Sequence, residues 1–211
     1  FGTRPIGAGP YLVKEFVRDD HLTLDRNPRY HATTYLDRIV IRPVVDETQR
    51  LNSLTAGQAD AMFSSDPTSA AQATGAGFSR VETDLNGGSD IMFNVSRAPF
   101  DDLRARQAIG LAFDRGALNR DLFNGLGKVS DTLFTPASPF YDPQIHQDQP
   151  DRARAQQLFD ALAADGRPLR VTFLVPQSFT ARAEWFQTQL ARYRNVVAKL
   201  RIIPDAQTSG I

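Results

Sequence analysis

Histidine, serine and cysteine are the first residue types to consider for chemistry in this chain. Its three histidines, His21, His31 and His146, lie far apart, and none belongs to a two-histidine metal spacing or to an H-E-x-x-H pattern. The G-x-S-x-G sequence that carries the nucleophile of α/β-hydrolases is absent. There is no cysteine, which excludes thiolate catalysis and cysteine-based metal sites. The sequence therefore predicts no catalytic residue and no metal site.

Two glycine-rich segments match nucleotide-binding loops only in part. Gly7-Ala8-Gly9 lacks the third glycine of the dinucleotide motif and precedes a predicted strand rather than a helix. The segment from Gly125 to Ser130 fails the phosphate-loop pattern because that pattern needs glycine at position 122, where the sequence has leucine. Turn geometry is the better interpretation of these glycines, and no cofactor is predicted.

The charge balance argues against nucleic acid as a partner. The 211 residues include 24 basic and 24 acidic side chains in an interspersed pattern, so there is no basic excess to attract phosphates. An apolar share of 41% is enough for a buried core. No run of residues reaches the apolar length needed to cross a bilayer, and no signal peptide is evident. These features predict a globular protein that does not bind nucleic acid.

The first part of the chain alternates predicted strands with predicted helices. A hairpin comes first, with strands at 11–17 and 21–26 joined by a polar turn at 18–20. Asp46 is a good N-cap for a helix that ends near Gly57. The other expected elements are strands at 38–44, 59–63 and 78–84 and a helix at 67–73. This alternation predicts an α/β layer rather than a helix bundle.

The stretch 87–127 is expected to join two structural halves. A short apolar strand, 91–95, precedes a helix capped by Asp101 or Asp102, whose apolar residues recur at helical period. Asp114 caps a second short helix. A proline-rich connection at 129–150 then leads to a predicted helix at 151–164, a strand at 169–175, a helix at 180–194 and a strand at 197–203. The last three form a βαβ unit, so its strands should be parallel.

Several segments, taken together, resemble the extracytoplasmic solute-binding proteins of ABC transporters, in the peptide, dipeptide and nickel class called family 5. Pro5-Ile6-Gly7-Ala8-Gly9-Pro10-Tyr11 is similar to that family's P-[IV]-G-[TS]-G-P-Y, with alanine where threonine or serine is common. The resemblance continues, in the family's order, through 26–30, 35–39, 46–51, 57–60, 93–94, 98–109 and 113–115.

The resemblance implies an α/β, periplasmic-binding-protein-like (type II) fold, with mixed sheets, flanking helices and incomplete lobes. Family members are much longer than this chain, so it implies a fragment. Residues 1–90 are expected to be the later part of the first lobe, 91–95 the interlobe crossover strand, and 96–211 the first part of the last lobe. Such proteins hold a ligand between two lobes without covalent chemistry, so the resemblance also implies that the chain is not an enzyme.

Ligand-binding residues are predicted at three places. Phe93 and Asn94 match the family's crossover strand, where the resemblance implies ligand contacts. Gln177, Ser178 and Phe179 follow a predicted parallel strand and open a helix, where free N–H groups suit a peptide carboxylate. Phe63 and Ser64 follow another predicted strand. Loop geometry and helix capping account for the same residues, and that interpretation stays open.

The resemblance implies two partners, a small solute such as an oligopeptide and the membrane permease of an ABC importer. It implies a location in the periplasm or, tethered to the membrane, outside the cytoplasm. Weak or absent binding by the fragment is expected, because half a clamp lacks the contacts of the opposing lobe. Exposed sheet edges predict pairing into a homodimer. Two other readings stay open, an α/β enzyme of unknown activity and a structural or interaction fragment.

Overall fold

The computed structural model describes residues 5–205 and 207. By its internal contacts the chain forms two compact units, Phe1–Ala59 and Asp60–Ile211. The elements in chain order are β1 (Tyr11–Val17), β2 (His21–Arg26), β3 (Arg38–Ile41), α1 (Glu47–Thr55), α2 (Pro67–Gly75), α3 (Leu103–Ala112), α4 (Arg115–Phe123), α5 (Arg152–Ala164), β4 (Leu169–Pro176), α6 (Thr180–Leu190) and β5 (Val196–Ile203).

The first unit is built on an antiparallel sheet with the strand order β1-β2-β3. Leu24 lies opposite Val13 on one side and Ile39 on the other, so apolar side chains from three strands share one face. The turn between β1 and β2 places Asp19 in the left-handed region, at φ 62°. The predicted hairpin is therefore confirmed, and β3 is shorter than predicted.

Helix α1 begins and ends where the sequence predicts. The side chain of Asp46 accepts a hydrogen bond from the backbone N–H of Gln49, which satisfies one of the free donors of the first turn. Gly57 has a φ of 70°, the left-handed conformation that favours glycine after a helix. Leu51 and Leu54 are buried, as their helical spacing indicates.

The core of the second unit lies between α3, α5 and the βαβ unit. Strands β4 and β5 are parallel, with Leu169 opposite Val196 and Pro176 opposite Ile203, as predicted. Helix α3 packs against α5 and α6 packs against β5. The buried side chains of this core are Phe100, Ala105, Ala108, Ile109, Leu111, Phe113, Ala155, Phe159, Leu162, Leu169, Leu190 and Tyr193. Burial of these side chains stabilises the unit and anchors the start of β4 at Leu169.

Three predicted strands, at 59–63, 78–84 and 91–95, are wrong as secondary structure. A strand needs a neighbour for its N–H and C=O groups, and no described strand pairs with these segments. Val81 and Met92 are almost fully exposed, at 95% and 93%. Apolar composition does not distinguish an extended segment from a paired strand. The assignment of 91–95 as an interlobe crossover, and the lobe boundaries at 90 and 96, stay predictions.

The last helix is also shorter than predicted, ending at Leu190 rather than at residue 194. Two turns follow it, in which the N–H of Tyr193 donates to the carbonyl oxygen of Leu190. Among the helices of the described residues, none is both long and apolar enough to cross a membrane.

Candidate functional site

The best-defined candidate site lies where β4 ends. Gln177–Phe179 form a short 3-10 turn between β4 and α6, so all three predicted residues of this place come together. The turn lies at the carboxyl edge of the parallel pair, the edge at which α/β proteins bind ligands. Phe179 remains 39% exposed, which leaves its ring accessible.

Ser178 is held by a carboxylate of the chain itself. Its backbone N–H donates to Oδ1 of Asp205 at 3.2 Å, and its hydroxyl donates to the same oxygen at 2.9 Å. Asp205 follows β5, so this pair links the ends of two neighbouring strands. The N–H of Ser178 is therefore occupied, and a ligand carboxylate at this turn needs another cation or donor.

Arg182 provides that cation. Its guanidinium carbon lies 4.8 Å from the centre of the Phe179 ring and 5.1 Å from the centre of the Phe123 ring, which is the geometry of two cation–π contacts. Its Nε atom is buried and has no hydrogen-bond partner among the residues that the structure describes. An unsatisfied buried donor is costly, so a ligand acceptor at Arg182 is favoured.

Two features of its surroundings act on the pKa of Arg182 in opposite directions. Burial lowers the pKa of the guanidinium, because removal from water disfavours the charged form, and the negative charge of Asp66 opposes this effect. Arginine nevertheless remains charged in proteins. The group is thus a cation held in a partly desolvated place, where an anion would be attracted more strongly than in bulk water.

The predicted pair Phe63 and Ser64 lies next to Asp66. The hydroxyl of Ser64 accepts a hydrogen bond from the N–H of Asp66 at 2.9 Å and donates to its carbonyl oxygen at 3.2 Å. Asp66 in turn caps α2 through the N–H groups of Thr68 and Ser69. The negative charge of Asp66 raises the pKa of Arg182, so the cap of α2 acts electrostatically on the arginine of the candidate site. Phe63 is 78% exposed and is free of the core.

The other predicted pair, Phe93 and Asn94, has mainly local contacts. The ring of Phe93 packs against the core, with its centre 4.5 Å from that of Phe100. The side-chain oxygen of Asn94 accepts from the N–H and the hydroxyl of Ser96, at 3.1 and 2.7 Å. In the described part of the chain, no hydrogen bond or ring contact joins this pair to the Gln177–Phe179 turn. Its role as a ligand contact stays a prediction.

Sequence reasoning missed Arg182. Its one local signal is an aromatic residue, Phe179, three positions earlier, a spacing that brings two side chains together on a helix. The second ring, Phe123, comes from the end of α4 and enters only through tertiary packing. Among the residues that the structure describes, no group of three or more histidine or acidic side chains is placed to hold a metal ion.

The chain is similar in sequence to several bacterial binding proteins. It is 32% identical over 169 residues to heme-binding protein A of Haemophilus influenzae, which covers 79% of this chain and 30% of that protein. It is 24% identical over 234 residues to the nickel-binding periplasmic protein of Escherichia coli, which covers 97% of this chain and 42% of that protein. The chain thus spans less than half the length of these relatives.

Solved structures share the fold. The periplasmic binding protein DppA of Helicobacter pylori, in complex with peptide STSA, superposes with a TM-score of 0.77 at 21% identity, over 95% of this chain and 40% of that one. This likeness confirms the predicted α/β, periplasmic-binding-protein-like fold. The model of the family described as "bacterial extracellular solute-binding proteins, family 5 Middle" matches residues 1–209. The chain therefore belongs to the family 5 bacterial extracellular solute-binding proteins, as the sequence resemblance implied.

Proposed function

We propose that this chain is part of the solute-binding component of an ABC importer, which holds an oligopeptide or a similar small solute without covalent chemistry. The relatives include a probable di/tripeptide-binding protein of Pseudomonas aeruginosa, 30% identical over 156 residues. Family membership supports solute binding rather than catalysis, and it supports action outside the cytoplasmic membrane. The permease of the importer is the proposed protein partner.

The observation that carries the proposal is the Arg182 guanidinium between the Phe123 and Phe179 rings. The rings orient the cation and shield it from water, while its buried Nε lacks a partner among the described residues. A carboxylate is a good match because its two oxygens accept hydrogen bonds from a guanidinium in a planar, bidentate geometry. We therefore place the carboxylate of the solute at Arg182, with Gln177 and Phe179 beside it.

Isothermal titration calorimetry of the longer protein that contains this chain, with tripeptides and their C-terminal amides, tests this placement. Arg182→Met is expected to weaken binding of the free acids roughly tenfold or more, because a charge-assisted hydrogen bond contributes about 1.5–3 kcal/mol. The amides should lose much less. Arg192→Met, which removes an exposed arginine just after α6, is the matched control and should leave both affinities unchanged.

Thermal unfolding with and without the same peptides tests whether this chain binds alone. A ligand that binds only the native state raises the unfolding midpoint. The chain spans less than half of its relatives, so we expect little or no shift for the chain alone and a clear shift for the longer protein. If neither responds to any peptide, sugar or metal chelate, solute binding is refuted, and a structural role or an enzyme becomes the better explanation.

We also propose that two copies of this chain pair through their exposed sheet edges to form a homodimer. Strands β1 and β3 are the edges of the antiparallel sheet, and each of β4 and β5 has one strand neighbour among the described residues. Free edges favour strand pairing between copies. Sedimentation at several concentrations tests this, and a monomer throughout would refute it.

A further inference from the structure

His146 makes contacts that hold together two parts of the long connection at 129–150. Its Nδ1 atom lies 3.2 Å from Oδ1 of Asp131, and its Nε2 atom lies 2.5 Å from the carbonyl oxygen of Pro143. Next to it, the N–H of Gln147 donates to the carbonyl oxygen of Asp131 at 2.8 Å. These contacts join the two ends of a segment that otherwise has no regular secondary structure.

Both ring nitrogens of His146 face groups that only accept hydrogen bonds. A neutral imidazole has one N–H, so it can satisfy either the carboxylate or the carbonyl but not both. The imidazolium has two N–H donors and satisfies both. Consistent with this geometry, the pKa of His146 is raised above its ordinary 6.5, first by the hydrogen bond to Asp131 and then by that to Pro143.

Asp131 has a second cation near it. The pKa of its carboxyl is lowered mainly by His146, and the charge of Arg115, at the start of α4, acts in the same direction. One terminal nitrogen of Arg115, Nη1, is buried and has no hydrogen-bond partner in the described part of the chain. Arg115 and Asp131 line a polar cavity of about 230 Å³ together with Asp114, Gly116, Val129, Gln149 and Pro150.

We propose that His146 and Arg115 compete for the Asp131 carboxylate, which makes the 129–150 connection a latch operated by a proton. When His146 is protonated, it holds Asp131 and Pro143 together and the connection is closed. When His146 loses its proton, the Asp131 carboxylate turns into the cavity and accepts a hydrogen bond from the unsatisfied Nη1 of Arg115. In the closed arrangement the Asp131 carboxylate pairs with His146, and in the open arrangement it pairs with Arg115.

The direction of the pH effect follows from the raised pKa. A histidine whose pKa is higher in the folded state stabilises that state at pH below its ordinary value, and the contribution is lost as pH rises through the folded pKa. The other charged groups that act on this pair are Asp142, which favours the imidazolium, and Asp114, which lines the cavity. Closure is therefore complete at pH below the ordinary value of 6.5 and is lost as pH rises through the raised pKa of His146.

Two measurements on the full chain test the latch. NMR titration of the histidine rings should give His146 a pKa above 6.5, and Asp131→Asn should lower it. Amide hydrogen exchange, corrected for intrinsic rates, should show protection at Gln147 that falls as His146 deprotonates. In His146→Gln the protection should be weak and independent of pH. His31→Gln, in the first unit, is the control and should change neither readout.

Proton exchange at the Arg115 guanidinium tests whether Arg115 and His146 compete for the Asp131 carboxylate. In the unsubstituted protein, the protection of its guanidinium protons, corrected for the base-catalysed intrinsic exchange rate, should increase as His146 deprotonates, because Asp131 then becomes their acceptor. In Asp131→Asn this dependence on pH should disappear. An ordinary or lowered pKa for His146, or unchanged protection in His146→Gln, would overturn the latch. If the protection of the Arg115 guanidinium protons does not change as His146 titrates, the proposed change of partner at Asp131 is refuted.

Discussion

Ser178 donates both its backbone N–H and its hydroxyl to the same carboxylate oxygen of Asp205. The two residues follow β4 and β5, so their pairing joins the carboxyl ends of neighbouring parallel strands. It also fixes the turn that carries Phe179, one of the two rings against Arg182. The carboxylate of Asp205 thus acts on the candidate site through the turn.

Asp205→Ala is expected to loosen this turn. The substitution removes the acceptor of two hydrogen bonds, and each bond of this kind contributes about 0.5–1.5 kcal/mol. Amide hydrogen exchange at Ser178 should become faster, while Asp205→Asn, which keeps a carbonyl oxygen as acceptor, should preserve most of the protection. Asp148→Ala, at an exposed position of the 129–150 connection, is the control. Equal protection in Asp205→Ala and the control would show that the turn is held by other contacts.

The N-caps illustrate what the sequence predicts well. Asp46 and Asp114 are predicted N-caps, and each accepts a hydrogen bond from the backbone N–H three positions on. Capping depends on residues that are neighbours along the chain, so the signal is local. The periodic burial of Ala105, Ala108 and Ile109 is local for the same reason.

Features that depend on distant residues were not predictable in this way. Residues 91–95 are as apolar as a strand, but pairing is decided by a neighbour that the local sequence does not specify. Arg182 became a candidate only because α4 places Phe123 against it, a contact set by packing between helices. The family resemblance predicted the fold correctly, because ordered motifs carry information about packing that periodicity lacks.

Phe159 is expected to be among the most sensitive positions of the core. Its side chain is fully buried, and its ring meets that of Tyr193 edge-on with centres 5.3 Å apart. Phe159→Ala should lower the free energy of unfolding by about 3–5 kcal/mol, since it loses buried area and leaves a cavity. Phe140→Ala, at a ring that is 73% exposed, should change it by less than about 0.5 kcal/mol. Chemical denaturation measures both, and similar losses would contradict the position of the core.

The single tryptophan provides a probe of the contact between α4 and α6. The indole N–H of Trp185 donates to Oδ2 of Asp121 at 2.8 Å. Asp121→Ala should shift the fluorescence emission of Trp185 and cost roughly 0.5–1.5 kcal/mol of stability, whereas Asp121→Asn keeps an acceptor and should change less. Because Arg182 lies three residues before Trp185 on α6, a solute at Arg182 should also alter this emission. An emission spectrum identical in all three proteins would contradict the hydrogen bond.

Asp102 should make stability depend on pH in the acidic range. It caps α3 and receives hydrogen bonds from the side chain and the backbone N–H of Arg104, which lower the pKa of its carboxyl from 3.8 to about 2. A carboxyl with a lowered pKa stabilises the folded state above its unfolded pKa, and this contribution is lost as pH falls from about 4 to about 2.

Asp102→Asn separates this charge effect from capping, because asparagine is also a good N-cap. Denaturant midpoints should therefore be lower for the variant near pH 7, and the difference from the unsubstituted protein should shrink between pH 4 and pH 2. Asp148→Asn, at an exposed aspartate, should show no such convergence. A difference that stays constant down to pH 2 would mean that the pairing of Asp102 with Arg104 does not control the acid stability of α3.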